Sequence, residues 1–381
     1  MTGESIKRQE ARKRRASGAA VDFDGKRLAL ARRMRRLQRT SLATKAGVSA
    51  AAITQFEKGT SRPTRSIVAE LSLALGVPEE FFQQGRPIEQ VSASAAHFRS
   101  LRSTPAIARD QARAFAEIGL AVVDILEQWV DLPRVNLSIT PIRNEPSQSE
   151  ITAMAEGVRR SFGLKEGPIA HVVRTLETNG VVVLRLPYFI DPYVDAFSTN
   201  AGHRPLVLLS PLKDDRARSR FDAAHELGHL IMHPDVEPGS KLIENQAHIF
   251  AAEFLAPSDQ IEQDLPRKVD WDRLLHAKTK WGLSLRALAH RAHDLGLWSD
   301  FAYRRASQHL AIQGYPEQGP LGPPESPFLL GAAAALLEEN GTSIEEIATV
   351  GRLPLDVVKT VIEMGSETKP RLSLSLSDLQ S

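Results

Sequence analysis

The sequence predicts a multidomain, mainly α protein: an all-α unit at the N-terminus, a central α+β unit with a small sheet, and a helical C-terminal tail. Three observations carry this expectation. At 381 residues the chain exceeds one typical domain and can bury two or three cores. Apolar residues recur mostly at helical spacing, and only short runs at 181–186, 195–198 and 205–209 read as strands. Two stretches interrupt the pattern, the polar residues 83–104 and the Pro/Gly-rich residues 313–327.

Composition narrows the function classes. The chain is 42% hydrophobic and 25% charged, as globular proteins are. No apolar run approaches the length of a membrane span, so no membrane partner is expected. The first residues are charged where a secretory signal needs an apolar stretch, which points to a cytoplasmic protein. With no cysteine, disulfides, thiolate-bound zinc and a thiol nucleophile are all excluded. The net charge of +2 hides an imbalance: residues 1–40 carry +9 and the remainder −7. A basic block at one end suggests contact with a polyanion, most simply nucleic acid.

Residues 1–22 are basic and poor in large apolar side chains, the composition of a flexible arm. From Gly25, short helices follow one another. Leu28, Ala31, Met34 and Leu37 share one face of the first, whose other face bears Arg32, Arg33, Arg35 and Arg36. A second helix spans about 39–46. Gly47-Val48-Ser49 then makes a tight turn, with Gly47 free to adopt the left-handed conformation and Ser49 placed to cap the third helix, about 50–58. Gly59 ends it, a fourth helix covers 65–75, and a fifth turn 79–82.

This spacing is a helix-turn-helix. Leu42-Ala43, Gly47-Val48-Ser49, Ile53, Glu57, Gly59, Arg62-Pro63, Leu71, Ala74-Leu75 and Val77 resemble the Cro/phage-repressor (XRE) pattern over about 60 residues. The resemblance implies a double-stranded DNA operator as partner, with the third helix in the major groove. By position Ala50, Ala51, Thr54 and Gln55 would face bases, and Gln55 can bond adenine at two points. Ser49, Lys58 and Arg62 complete the expected DNA-binding set. Arg39 stands where the family usually has glutamine, which suggests a phosphate contact there. Such repressors bind as two-fold dimers, so a homodimer is expected.

The chain then divides into a linker with a long connecting helix (87–145), the central domain (146–312), the Pro/Gly linker (313–327), a small helical domain (328–365) and a disordered tail (366–381). The connecting helix, about 105–132, carries Phe115, Ile118, Val122, Ile125, Leu126 and Trp129 as its apolar stripe, and could dimerise or pack on the next domain. The N-terminal domain is thus 23–86. In the central domain Ser147 and Glu150 form a capping box for a helix to residue 162. Helices are expected at about 169–178, from 216, and at 244–255, 270–281, 284–295 and 300–309. The tail domain offers three more, at 328–339, 343–350 and 355–364, with a packing or dimerising role.

Ala224-His225-Glu226-Leu227-Gly228-His229-Leu230 organises the central domain. Residues four apart lie about one turn apart on one helical face, so His225 and His229 can bind one zinc ion. Glu226, a step round the helix, is placed to work on water. Pro234 stops this helix. A third ligand is still needed. His233 continues the row, but a straight helix separates ligands at i and i+8 by about 12 Å. Glu244, on a helix that could return antiparallel, is the better candidate, with Ala247, His248 and Ala251 on its inner face. His248 could hold a ligand from behind.

Residues 220–229 (RFDAAHELGH), with Glu244, Ala247, Phe250-Ala251-Ala252, Leu255 and Pro257, resemble the ImmA/IrrE family of zinc metallopeptidases over roughly 150–295. Asp195-Ala196-Phe197-Ser198 and the strand 205–209 fit as well. The resemblance implies a zincin-like metallopeptidase domain, Zn(2+) held by His225, His229 and Glu244, and Glu226 as the catalytic acid/base. It also implies a protein substrate, a repressor, cut by metal-assisted hydrolysis. His248 replaces the family's usual asparagine. Tyr188, Tyr193, His203 and Arg220 are the candidates to steady the developing oxyanion. Two other functions share these motifs: a transcription factor whose peptidase-like domain only senses metal, ligand or partner, and the antitoxin of a toxin–antitoxin pair. The second gives no reason for an intact His-Glu-x-x-His.

Overall fold

The computed structural model describes residues 19–85, 87–91, 104–141, 146–210, 215–234, 236 and 240–366. Residues 1–18 of the expected arm (1–22), most of the polar linker (92–103) and residues 367–381 of the expected tail (366–381) lie outside the described residues. Residues 19–22, expected in the arm, pack on the N-terminal unit instead. Ala19 is fully buried, Gln84 N donates to Asp22 O (2.7 Å), and Phe23 bridges to Gln83.

The N-terminal unit is built from α1 (Gly25–Met34), α2 (Arg39–Lys45), α3 (Ala50–Lys58), α4 (Arg65–Leu75) and a 3-10 turn (Glu79–Phe82). Local chemistry sets these ends. Ser49 and Thr64 accept from backbone N–H groups in the first turns of α3 and α4, and Gly59 and Gly76 close them in the left-handed conformation. Ile53, Phe56, Val68 and Leu71 point inward from their helical faces.

The long helix α5 (Ala106–Leu126) packs on the next domain, one of the two roles its apolar stripe allowed. Most of it is buried, because three parts of the chain pack around it. Gln111 Nε2 donates to Met34 O (3.0 Å) at the end of α1. The tail helices α14 (Leu329–Glu339), α15 (Ile344–Gly351) and α16 (Leu355–Met364) cover a second side. On the third side, Gly119 lies so close to the sheet that a Cβ there would stand 2.7 Å from Leu184 Cδ1. Buried in this way, α5 cannot serve as a dimerisation helix.

The sheet has order β1-β3-β2, from β1 (Val182–Arg185), β2 (Phe197–Thr199) and β3 (Leu206–Leu209). β1 runs parallel to β3, with Val182 opposite Leu206, and β2 pairs antiparallel, with Ser198 opposite Val207. Because side chains alternate along a strand, the apolar runs serve two cores. Val182, Leu184, Leu206 and Leu208 face α5, while Val183, Val207 and Leu209 face α6 (Gln148–Ser161), α7 (Val172–Thr178), α8 (Arg216–Met232) and α9 (Lys241–Leu255). The Ser147–Glu150 capping box opens α6 as expected. A short α10 (Ser258–Ile261), which the sequence did not suggest, precedes α11 (Trp271–Trp281), α12 (Leu285–Asp294) and α13 (Asp300–Gln313).

Residues 313–327 are not a free linker either. They form a strap fastened at two glutamates. Glu317 accepts from Leu285 N (2.7 Å) at the start of α12 and pairs with Lys278 (3.2 Å). Glu325 pairs with Arg220 of α8 and accepts from Val173 N (3.0 Å). Just beyond, Glu177 accepts from Phe328 N and Leu329 N, both at 3.0 Å, and burial pushes its carboxyl up to about 7 against these donors.

Candidate metal centre

α8 begins at Asp215, whose side chain accepts from Arg218 N (3.0 Å), and ends at His233, where Pro234 forbids continuation. Its ligand-bearing face lies against α9, which returns antiparallel. Small residues make the approach possible. A Cβ on Gly228 would stand 3.0 Å from the Phe250 ring and 3.4 Å from Ala247 Cα.

This approach brings His225, His229 and Glu244 together. His225 Nε2 and His229 Nε2 are 3.1 Å apart, Glu244 Oε2 is 3.3 Å from the first, and Oε1 is 3.6 Å from the second. Ligands at about 2.0–2.1 Å on a tetrahedral zinc ion stand ~3.3 Å from one another. The donor set, two imidazoles and a carboxylate, is one that zinc takes. Both Glu244 oxygens are buried without a hydrogen-bond partner among the described residues. A buried carboxylate left without a hydrogen bond beside two ring nitrogens asks for a cation, so these residues fit zinc on geometry and on chemistry.

Glu226 is 1% exposed on the adjoining strip of α8. Ser198 Oγ on β2 donates to its Oε2 (2.7 Å), and two residues on Asn200 Nδ2 donates to Leu230 O (3.0 Å). Ser198 faces α8 by alternation on β2, and Asn200, just past the strand's end, reaches the same helix. Neither role was anticipated. The only trace in the sequence is the polar pair at i and i+2 beside a strand otherwise buried. His233 turns inward behind His229, its Nδ1 3.1 Å from His229 Nδ1, and its Nε2 is 2.8 Å from Gln246 Oε1. It touches a ligand and reaches no metal position. Burial lowers the His233 pKa, with the Gln246 hydrogen bond opposing. His248 stands edge-on to the His225 ring (5.1 Å) and packs on Phe221 (4.9 Å).

Two candidates for the oxyanion are engaged elsewhere. Arg220 is buried in its pair with Glu325. His203 lies between Asp124 (3.0 Å) and Glu127 of α5, beside Arg204. In that cluster of three potential ligands the Glu127 carboxylate is already answered by the Arg204 guanidinium. Burial raises the Glu127 pKa, but bonds from Arg204 and His203 outweigh it and leave the carboxyl below its usual value. Tyr188 and Tyr193 are exposed on the loop before β2. Next to the ligands a cavity of about 640 Å³ opens, with Phe221, His248, Ile249, Ala252, Ala287 and Tyr303 in its walls.

At the other end of the molecule, the residues expected on DNA lie along α3 and its flanks. Ala51, Gln55 and Lys58 are exposed, and Ala50 and Thr54 are half-buried. Thr54 Oγ1 donates to Ala50 O (3.0 Å), and Ser49 caps the helix. Arg62 is exposed but donates to Val21 O (2.6 Å). Arg39 pairs with Glu57 (2.6 Å), which also holds Arg32 (2.5 Å). The arginines of α1, expected to strengthen contact with a polyanion, are spent inside the chain. Arg33 pairs with Glu117 of α5 (2.5 Å), Arg35 with Asp356 of α16 (3.4 Å), and Arg36 with Asp191 of the loop before β2 (2.5 Å).

Comparison with known families agrees with both ends. Residues 28–82 match the helix-turn-helix family model, and residues 176–293 match that of the IrrE N-terminal-like domain, peptidase family M78. No curated protein matches the chain significantly.

Proposed function

We propose that this fusion of an XRE-type helix-turn-helix domain with an IrrE/ImmA-like domain is a DNA-binding transcriptional regulator and a zinc-dependent endopeptidase. It hydrolyses a peptide bond in a partner repressor, or in itself, in response to a signal. The observation that carries the reading is the convergence of His225 Nε2, His229 Nε2 and the Glu244 carboxylate at zinc-ligand separations, with Glu226 beside them.

Zinc, when bound, would polarise the scissile carbonyl and make water a nucleophile near neutral pH. The rest falls to the chain. Ser198 donates to one oxygen of Glu226 and so orients the carboxylate that takes the water's proton and passes it to the leaving amine. The apolar walls of the adjoining cavity suit a side chain of the substrate. In the DNA-binding half, α3 enters the major groove with Gln55 reading bases, Lys58 and Arg62 meeting phosphates, and a homodimer spanning the operator.

No helix among the described residues is long and apolar enough to cross a membrane, which agrees with a regulator that acts on DNA in the cytoplasm. A second reading, a peptidase-like sensor without turnover, is favoured by the Arg36–Asp191 pair, which ties the DNA-binding unit to the loop leading into β2. One experiment separates them. Purified protein with zinc is tested against candidate repressors beside its Glu226→Gln variant. Cleavage by the wild type, with the variant retaining zinc and losing at least ~100-fold in rate, supports the peptidase. Equal cleavage by both rejects the role of Glu226, and none by either leaves the sensor.

A further inference from the structure

His229 differs from His225 in what stands behind it. The Nδ1 of His225 is buried without a hydrogen-bond partner among the described residues, whereas that of His229 faces His233 Nδ1 at 3.1 Å. His233 in turn reaches Gln246 Oε1 on α9 at 2.8 Å through its Nε2, and both residues are buried. The line runs from an amide on one helix, through one ring, to a second ring whose far nitrogen points at His225 and Glu244.

A neutral imidazole has one N–H, so this line has two self-consistent proton arrangements. In the first, Gln246 Oε1 accepts from His233 Nε2. His233 Nδ1 then accepts from His229 Nδ1, and His229 Nε2 keeps its lone pair. In the second, the amide is turned and its N–H donates to His233 Nε2. His233 Nδ1 then carries the proton, His229 Nδ1 accepts it as a hydrogen bond, and His229 Nε2 bears hydrogen. Only the first leaves His229 able to bind a cation at Nε2.

We infer that Gln246 and His233 are positioning residues: the amide oxygen of Gln246, acting through His233, holds His229 in the Nδ1–H tautomer and presents its Nε2 lone pair to the metal. This rests on His225, His229 and Glu244 being the ligands. It assigns a function to a histidine that is too far along the helix to bind metal itself. It also makes the two ligands unequal. His229 is fixed before the cation arrives, and His225 is free to adjust to it.

The test is zinc affinity of the full-length protein, measured by competition with a chromophoric chelator at neutral pH. Gln246→Leu keeps the bulk and removes the acceptor, and should weaken zinc binding ~10- to 100-fold, the usual effect of losing a partner behind a ligand. Gln246→Glu, which restores an acceptor oxygen, should recover most of the loss. Equal affinity in wild type and Gln246→Leu overturns the inference while the metal site stands; a wild type that binds no zinc removes the metal reading itself. Imidazole nitrogen NMR of zinc-free, histidine-labelled wild type needs no variant to fold apart from an assignment control, His229→Asn. His229 as the Nδ1–H tautomer supports the inference, and the Nε2–H tautomer overturns it.

Discussion

Two helices of this molecule carry conspicuous polar patterns, and they meet opposite fates. On α1 and the turn that ends it, four arginines that read as a DNA-facing surface each find an acidic partner within the chain: Glu57 of the same unit holds Arg32, while Arg33, Arg35 and Arg36 join the DNA-binding unit to α5, to α16 and to the loop before β2. On α8, two histidines converge on a glutamate across a helix–helix contact, and neither carboxylate oxygen has a hydrogen-bond partner among the described residues. A run of like charge that is answered by carboxylates is structure. Acceptors that answer only one another are a site.

The strongest way to break this contrast is to remove Glu244. Glu244→Ala should abolish stoichiometric zinc binding, read by metal analysis of the purified protein, while operator affinity measured without zinc stays within ~3-fold. Retained zinc would mean that the acceptors are not a site. On the α1 side, Glu117→Ala leaves the half-buried Arg33 without its carboxylate and should cost ~1–3 kcal/mol in urea unfolding. A loss below ~1 kcal/mol would mark the pair as ornamental. A smaller effect concerns salt. Lys58→Ala should reduce the salt dependence of DNA binding by about one counterion, and Arg36→Ala, whose charge is spent on Asp191, should leave the slope unchanged. Equal slopes for both variants would return α1 to the DNA surface.

The smallest effect is in pH. The Glu177 carboxyl is raised to about 7 by burial, so the folded protein holds a proton that the unfolded chain releases near the ordinary carboxylate value. Its contribution is therefore full below that value and lost as pH rises through about 7. Melting curves should show wild type losing on the order of 1–3 kcal/mol from acid to mildly basic pH relative to Glu177→Gln. A flat difference between the two would show that the carboxylate is as comfortable here as in water.

What the sequence made legible was local. Ser49 and Gly59 are caps that act within one turn, and they placed α3; Thr64 and Gly76 cap α4 in the same local way. His225 and His229 followed from helical period alone, and Glu244 from the need for a returning helix with small residues on its face. What stayed hidden depends on distant pairings. Ser198 meets Glu226 from another element, Glu325 meets Arg220 from a stretch whose prolines and glycines read as linker, and the α1 arginines looked free because their partners lie in other units. The four residues of α10 are too few to show a period.

Gly119 carries one more consequence. By letting α5 lie directly on β1, it makes the segment preceding the peptidase-like region one half of that region's own cover. Severing the chain between residues 132 and 146 to obtain a minimal hydrolase would strip Val182, Leu184, Leu206 and Leu208 of their lid and hand a greasy surface to water. The two halves of this molecule are not cargo and carrier on a tether. They are cut from one block, and the fragment bearing the histidines should clump unless α5 is expressed with it.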